Sequence, residues 1–162
     1  MTKKIMVVMD PIHTINPMKD TTLAILLEAK ERGFIIFYAE PSDLNLFNGI
    51  VKAYARQIDV FDKNDSWYRY LDERPISPLD LGKFDFVIMR KDPPVDQNYI
   101  YLAYLLDFAD KNQTKVFNSP SGILETNEKI ATNWFPELIP NTLITNSSNE
   151  LLEFSNEQED TI

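Results

Sequence analysis

Short apolar runs alternate with amphipathic stretches along this chain, the pattern of an α/β protein. Ile5 to Met9 is continuously apolar, as a strand covered on both faces requires. Asp10-Pro11 ends it, and a polar loop around Ile12 and Ile15 runs to Lys19. Asp20 suits the N-cap of a helix in which Leu23, Leu26 and Leu27 share a face. Lys30 and Arg32 complement the dipole of its last turn, and Gly33 stops it. Phe34 to Ala39 is the next strand, which completes the spacing of a right-handed βαβ unit. Asp43 to Phe47 and Ile50 to Phe61 read as a hairpin, because Asn48-Gly49 favours a type I′ turn. The polar and aromatic stretch Asp62 to Leu81, with Trp67, Tyr68 and Tyr70, reads as an excursion on the sheet edge.

Phe84 to Met89 is a second buried central strand. The helix after it, Asn98 to Lys111, has one stripe of Leu102, Leu105, Leu106 and Ala109 and another of Tyr101, Tyr104 and Phe108. One stripe should meet the sheet. The other either meets a second subunit, making the chain a homo-oligomer, or flanks the first with wet hydroxyls. Lys115 to Asn118 is a short strand, and Ser119 to Gly122 turns into a helix from Ile123 to Trp134. Phe135-Pro136 breaks that helix, Thr142 to Ile144 fits a strand, and Asn146-Ser147-Ser148 caps a last helix over Glu150 to Phe154. Asn156 to Asp160 is an acidic, solvated end. These elements make a doubly wound, mainly parallel sheet with helices on both faces over residues 1–122, with 123–162 as a separate segment.

Composition narrows the function. A formal charge of −9 over 162 residues argues against a nucleic-acid or anionic-membrane surface. No apolar run approaches the roughly 18 residues of a membrane helix. Lys3-Lys4 before Ile5 imitates a signal peptide, but Asp10-Pro11 interrupts it and no small-residue cleavage site follows. With no cysteine, disulfides, thiolate catalysis and zinc–thiolate sites are excluded, which fits a cytoplasmic protein. The single histidine, His13, falls in a polar loop and reads as solvent-exposed.

The candidate chemistry lies in Met89-Arg90-Lys91-Asp92-Pro93-Pro94. Strand alternation projects Arg90 and Asp92 together and Lys91 oppositely, and the prolines end the strand. A cation and a carboxylate thus reach a strand's carboxyl end, where open α/β sheets bind ligands. An ordinary Arg90–Asp92 surface pair is an equal reading of this stretch alone. The exit of the first strand at Asp10 would line the same crevice if the two strands are neighbours. The four glycines, Gly33, Gly49, Gly82 and Gly122, are too far apart for a dinucleotide or Walker loop. A receiver-type phospho-acceptor role for Asp10 would want an acidic pair near the start, and Lys3-Lys4-Ile5 offers none.

Val8-Met9-Asp10-Pro11-Ile12, Ile15-Asn16, Lys19-Asp20, Asp43-Leu44, Asn48-Gly49, Met89 to Pro94, Asn118-Ser119-Pro120 and Asn127-Glu128-Lys129 occur in an order that resembles the N-terminal part of prokaryotic glutathione synthetases. The resemblance implies a pre-ATP-grasp, Rossmann-like α/β domain followed by the opening of an ATP-grasp domain. It implies an ATP-dependent ligation of γ-glutamylcysteine and glycine through an acyl phosphate, with ATP as co-substrate and Mg2+ offsetting phosphate charge. Arg90 matches a family arginine near the peptide substrate and Lys129 matches a lysine on ATP phosphate, while Asp10 and Asp92 join Arg90 as substrate-binding candidates from the strand exits alone. On this resemblance a full-length enzyme runs about as far again beyond Ile162. That half would carry the second ATP lysine, a flexible glycine-rich loop and the magnesium carboxylates. The isolated chain is then expected to be inactive, with no catalytic or metal residue of its own. The alternative from another class is a non-catalytic small-ligand-binding or oligomerisation module.

Overall fold

The computed structural model describes residues 2–63, 65–73, 75 and 77–157. In chain order the elements are β1 (Lys4–Met9), α1 (Thr21–Glu31), β2 (Ile35–Ala39), β3 (Leu44–Phe47), β4 (Ile50–Ala53), β5 (Arg56–Val60), β6 (Tyr68–Tyr70) and β7 (Leu79–Asp80). Then follow β8 (Phe86–Arg90), α2 (Gln97–Asn112), β9 (Lys115–Phe117), α3 (Pro120–Glu125), α4 (Glu128–Ala131) and α5 (Ser148–Glu157). The chain forms two compact units, divided between Leu124 and Glu125.

The first unit is built on a six-stranded sheet of order β6-β5-β2-β1-β8-β9. The four strands β2, β1, β8 and β9 are parallel, while β5 runs antiparallel to β2, and β6 to β5. β1 leads through α1 to β2 on one side, and β8 leads through α2 to β9 on the other. The winding therefore reverses between β1 and β8.

The apolar run of β1 serves two cores. Met6 and Val8 pack with Val87 and Met89 against Leu102, Ala103 and Leu106 of α2. Ile5, Val7 and Met9 face the other way, against Leu23, Leu26 and Ala29 of α1. Met6, Val7, Val8 and Met9 are wholly buried, as strand alternation between two helix layers demands. Each such side chain contributes about 1.5–3 kcal/mol of apolar burial.

The hairpin forms at its predicted turn, with Asn48 and Gly49 both at positive φ (50° and 76°), the backbone a type I′ turn needs. Its second arm is shorter than the sequence pattern suggests. β4 stops at Ala53 and pairs with β3 and β7 in a separate antiparallel sheet, whereas β5 crosses to the main one. β7 is only two residues long, and Gln113 takes over where it ends. The Gln113 amide accepts from Val51 N (2.8 Å) and donates to Val51 O (3.0 Å) and to Asp80 Oδ1 (2.6 Å), tying the small sheet to the end of α2. The described part of the 62–81 excursion lies on sheet edges: β6 is outermost in the main sheet, with Trp67 buried beneath it, and β7 is outermost in the small one.

α2 buries its leucine and alanine stripe, while Tyr101 and Tyr104 are exposed and Phe108 is half-buried. The single helix expected over 123–134 is instead two, α3 and α4. Asn127 interrupts it by accepting from Lys129 N and Ile130 N (3.0 and 3.1 Å), so its side chain caps a new start. Thr142 to Ile144 is not a strand: it has no regular structure and no sheet partner among the described residues. The last helix is longer than expected, Ser148–Glu157, and takes in Asn156. Gln158 to Asp160 lie outside the described residues. No helix among the described residues is long and apolar enough to cross a membrane.

Candidate functional site

β1 and β8 are paired neighbours, with Met9 opposite Arg90. Their carboxyl ends open at the point where the winding reverses, the position at which such sheets hold ligands. A cleft of about 400 Å³ lies there, lined by Asp10, Thr14, Ile15, Asn16, Lys19, Asp20, Thr21, Arg90 and Asp92. Arg90, Asp10 and Asp92 are thus brought together. Lys129 belongs to the second unit, on α4, where its exposed ammonium pairs with Glu128 at 3.0 Å. His13 is exposed in a one-turn 3-10 helix, Ile12–Thr14.

Arg90 ends β8 with its side chain mostly covered. Its Nε donates to Thr22 Oγ1 (3.0 Å) and its Nη2 to Thr21 Oγ1 (2.8 Å), and Asp20 Oδ1 is 3.6 Å away. The same Asp20 oxygen caps α1 by accepting from Thr22 N at 2.6 Å. The first turn of α1 therefore holds the guanidinium. This corrects the sequence-based pairing of Arg90 with Asp92: no hydrogen bond or ion pair joins them among the described residues.

Lys91 also departs from simple alternation. Its ammonium pairs with Asp10 Oδ1 (2.9 Å) and donates to Asp92 O (2.6 Å), while Asp92 N donates to Asp10 Oδ2 (2.9 Å). The strand has ended at Arg90, so the two-residue period no longer fixes where Lys91 points. Asp10 thereby ties the exit of β1 to the exit of β8. The loop after β1 is pinned as well. Ile12 N donates to the Tyr38 hydroxyl (3.0 Å), which donates to Glu40 Oε1 (2.9 Å). Burial pushes the Tyr38 phenol above its ordinary range, so it remains a neutral donor.

The lining carries three carboxylates and two cations, Lys19 and Arg90, with Asp10 already offset by Lys91. A cleft with both signs of charge suits a small ligand that also carries both. Thr21, Thr22 and Asp20 are the partners of Arg90 that the sequence pattern did not reveal. The available signal was the βαβ connection, which returns the N-terminus of α1 to the carboxyl end of β1. Among the described residues no group of three or more His, Cys, Asp or Glu stands ready to hold a metal ion.

Fold and cleft together define an α/β domain with an open crevice at the switch point of its sheet. The family model described as "Prokaryotic glutathione synthetase, N-terminal domain" matches residues 3–123. The chain belongs to this family. It is 40% identical over 159 residues to the glutathione synthetase of Vibrio vulnificus strain CMCP6, covering 98% of this chain and 49% of that protein. It is 42% identical over 159 residues to the glutathione synthetase of Photorhabdus laumondii, again covering 98% of this chain and 49% of the relative. For the glutathione synthetase of Escherichia coli O127:H6 the identity is 40% with the same coverage of 98% and 49%. The chain spans about half the length of the curated relatives it matches.

Proposed function

We propose that this chain is the peptide-substrate-binding half of a glutathione synthetase, which joins γ-glutamylcysteine to glycine using ATP. Residues 1–122 form the substrate domain and 123–162 open the ATP-grasp domain. The observation that carries the reading is Arg90, held by the first turn of α1 while it lines the β1–β8 crevice. In the reaction, the cysteinyl carboxylate takes the γ-phosphoryl group of ATP, and the amine of glycine then displaces phosphate from the acyl phosphate. Magnesium supplies charge neutralisation on the phosphates when bound, and no side chain of this chain is assigned to hold it.

What this chain contributes is binding and orientation. γ-Glutamylcysteine carries two carboxylates and an ammonium. Arg90 grips one carboxylate in bidentate fashion, and Asp92 and Asp10 frame the same crevice. Lys129 meets ATP phosphate as a point charge, a role its exposed position allows. The isolated chain has no synthetase activity on this reading.

The test is Arg90→Lys in a full-length synthetase that carries this chain as its first half. Lysine keeps the charge and loses the fork, so use of γ-glutamylcysteine should weaken roughly tenfold or more, about 1.4 kcal/mol, with ATP binding nearly intact. Equal affinity of the variant for the peptide would make Arg90 a structural residue.

A further inference from the structure

We propose, resting on the reading of Arg90 just given, that Thr22 is the positioning residue that aims it. Thr22 is 2% exposed, so its hydroxyl lies among buried groups. Its hydroxyl is not needed to cap α1, because the Asp20 carboxylate already accepts from Thr22 N. Thr22 Oγ1 instead accepts from Arg90 Nε at 3.0 Å, across 68 positions of sequence. A buried hydroxyl is costly without a partner, and here the partner is the guanidinium.

The geometry also sets which edge of the guanidinium stays available. Of its five N–H groups, the Nε hydrogen goes to Thr22 and one on Nη2 goes to Thr21. The end-on edge, Nη1 with the second hydrogen of Nη2, is the one assigned to an incoming carboxylate, beside Asp20 Oδ1, which lies 3.6 Å from Nη2. Fixing the long side chain in the free protein moves its ordering cost from binding to folding. Lysine has no Nε–H, so the contribution of Thr22 depends on arginine at 90. That dependence separates aiming from mere support of the helix.

The experiment is a cycle of Thr22→Val and Arg90→Lys, singly and together, in a full-length synthetase carrying this chain. Steady-state KM for γ-glutamylcysteine, KM for ATP and kcat are read for each. Thr22→Val should raise the peptide KM roughly three- to tenfold, the effect of one lost charge-assisted hydrogen bond, with kcat and the ATP KM steady. Thr22→Ser keeps the acceptor and should restore most of the loss. In the Arg90→Lys background, Thr22→Val should add nothing further. Thr21→Val, at an exposed position where folding is not at stake, should act in the same direction with the same dependence on Arg90. This variant carries the test should Thr22→Val fail to fold. An equal KM effect in both backgrounds, or none in either, overturns the proposal while leaving the role of Arg90 intact. An unchanged peptide KM in Arg90→Lys alone overturns the reading of Arg90 itself, and this proposal with it.

Discussion

The two units differ in where they put their large apolar side chains. In the first, Met6, Met9, Leu26, Met89, Leu102 and Leu106 are wholly buried on two sides of one sheet. In the second, no described residue is buried, and Trp134, Phe135 and Leu138 are exposed by 64%, 54% and 76%. The first unit can therefore position a side chain such as Arg90 by packing and long-range hydrogen bonds. The second holds its shape by local devices, namely the Asn127 cap, the proline-bounded 3-10 turn Pro136–Leu138 and the start of α5 at Ser147-Ser148. A site that needs fixed geometry belongs in the first.

Substitution of one large apolar residue in each unit gives the largest contrast. Leu106→Ala removes a wholly buried side chain from the α2 core and should cost about 2–5 kcal/mol in urea unfolding. Trp134→Ala removes a bigger side chain from an exposed position and should change stability by no more than about 0.5 kcal/mol. Comparable losses would show that the second unit has a core of its own.

A smaller effect tests how the two sheets of the first unit are joined. Gln113→Leu leaves the amide and carbonyl of Val51 without their partner and should cost about 1–3 kcal/mol. Hydrogen exchange at Val51 should speed up while exchange in β1 stays unchanged. Unchanged exchange at Val51 would remove Gln113 as the link.

The smallest effect depends on pH. The hydrogen bond and ion pair with Lys30 hold the Asp59 carboxyl below the usual range, against a desolvation that would raise it. Its folded pKa is depressed, so the stabilisation is fully present above the unfolded value of about 3.9 and is lost as pH falls through the folded value. Both partners are partly exposed, so Asp59→Asn should cost about 0.5–1 kcal/mol at neutral pH. The gap between wild type and variant should close on acidification, and one that widened would reverse the assignment.

Most of the parallel sheet was legible because each central strand is a short apolar run closed by a named signal. Asp10-Pro11 ends β1, Gly33 ends α1 and Pro93-Pro94 follows β8. The meeting of Asp10 and Arg90 was legible too, since reversal of winding makes their strands neighbours. What escaped was long-range or locally unmarked. Tyr54-Ala55, where the chain leaves one sheet for another, contains no glycine or proline. Asn127 sits inside an apolar period that hides its capping role. The hold of Thr21 and Thr22 on Arg90 depends on how α1 is rotated against the sheet, which packing decides and local pattern does not.

The central claim is that the crevice between β1 and β8 in the first unit receives the peptide substrate. The direct measurement is titration of the 15N-labelled chain with γ-glutamylcysteine, followed through its amide resonances. The account predicts shifts at Asp10, Asn16, Thr21, Thr22, Arg90, Lys91 and Asp92, with Glu128 to Glu157 unmoved. Shifts confined to the second unit, or none at the crevice at saturating peptide, would contradict it.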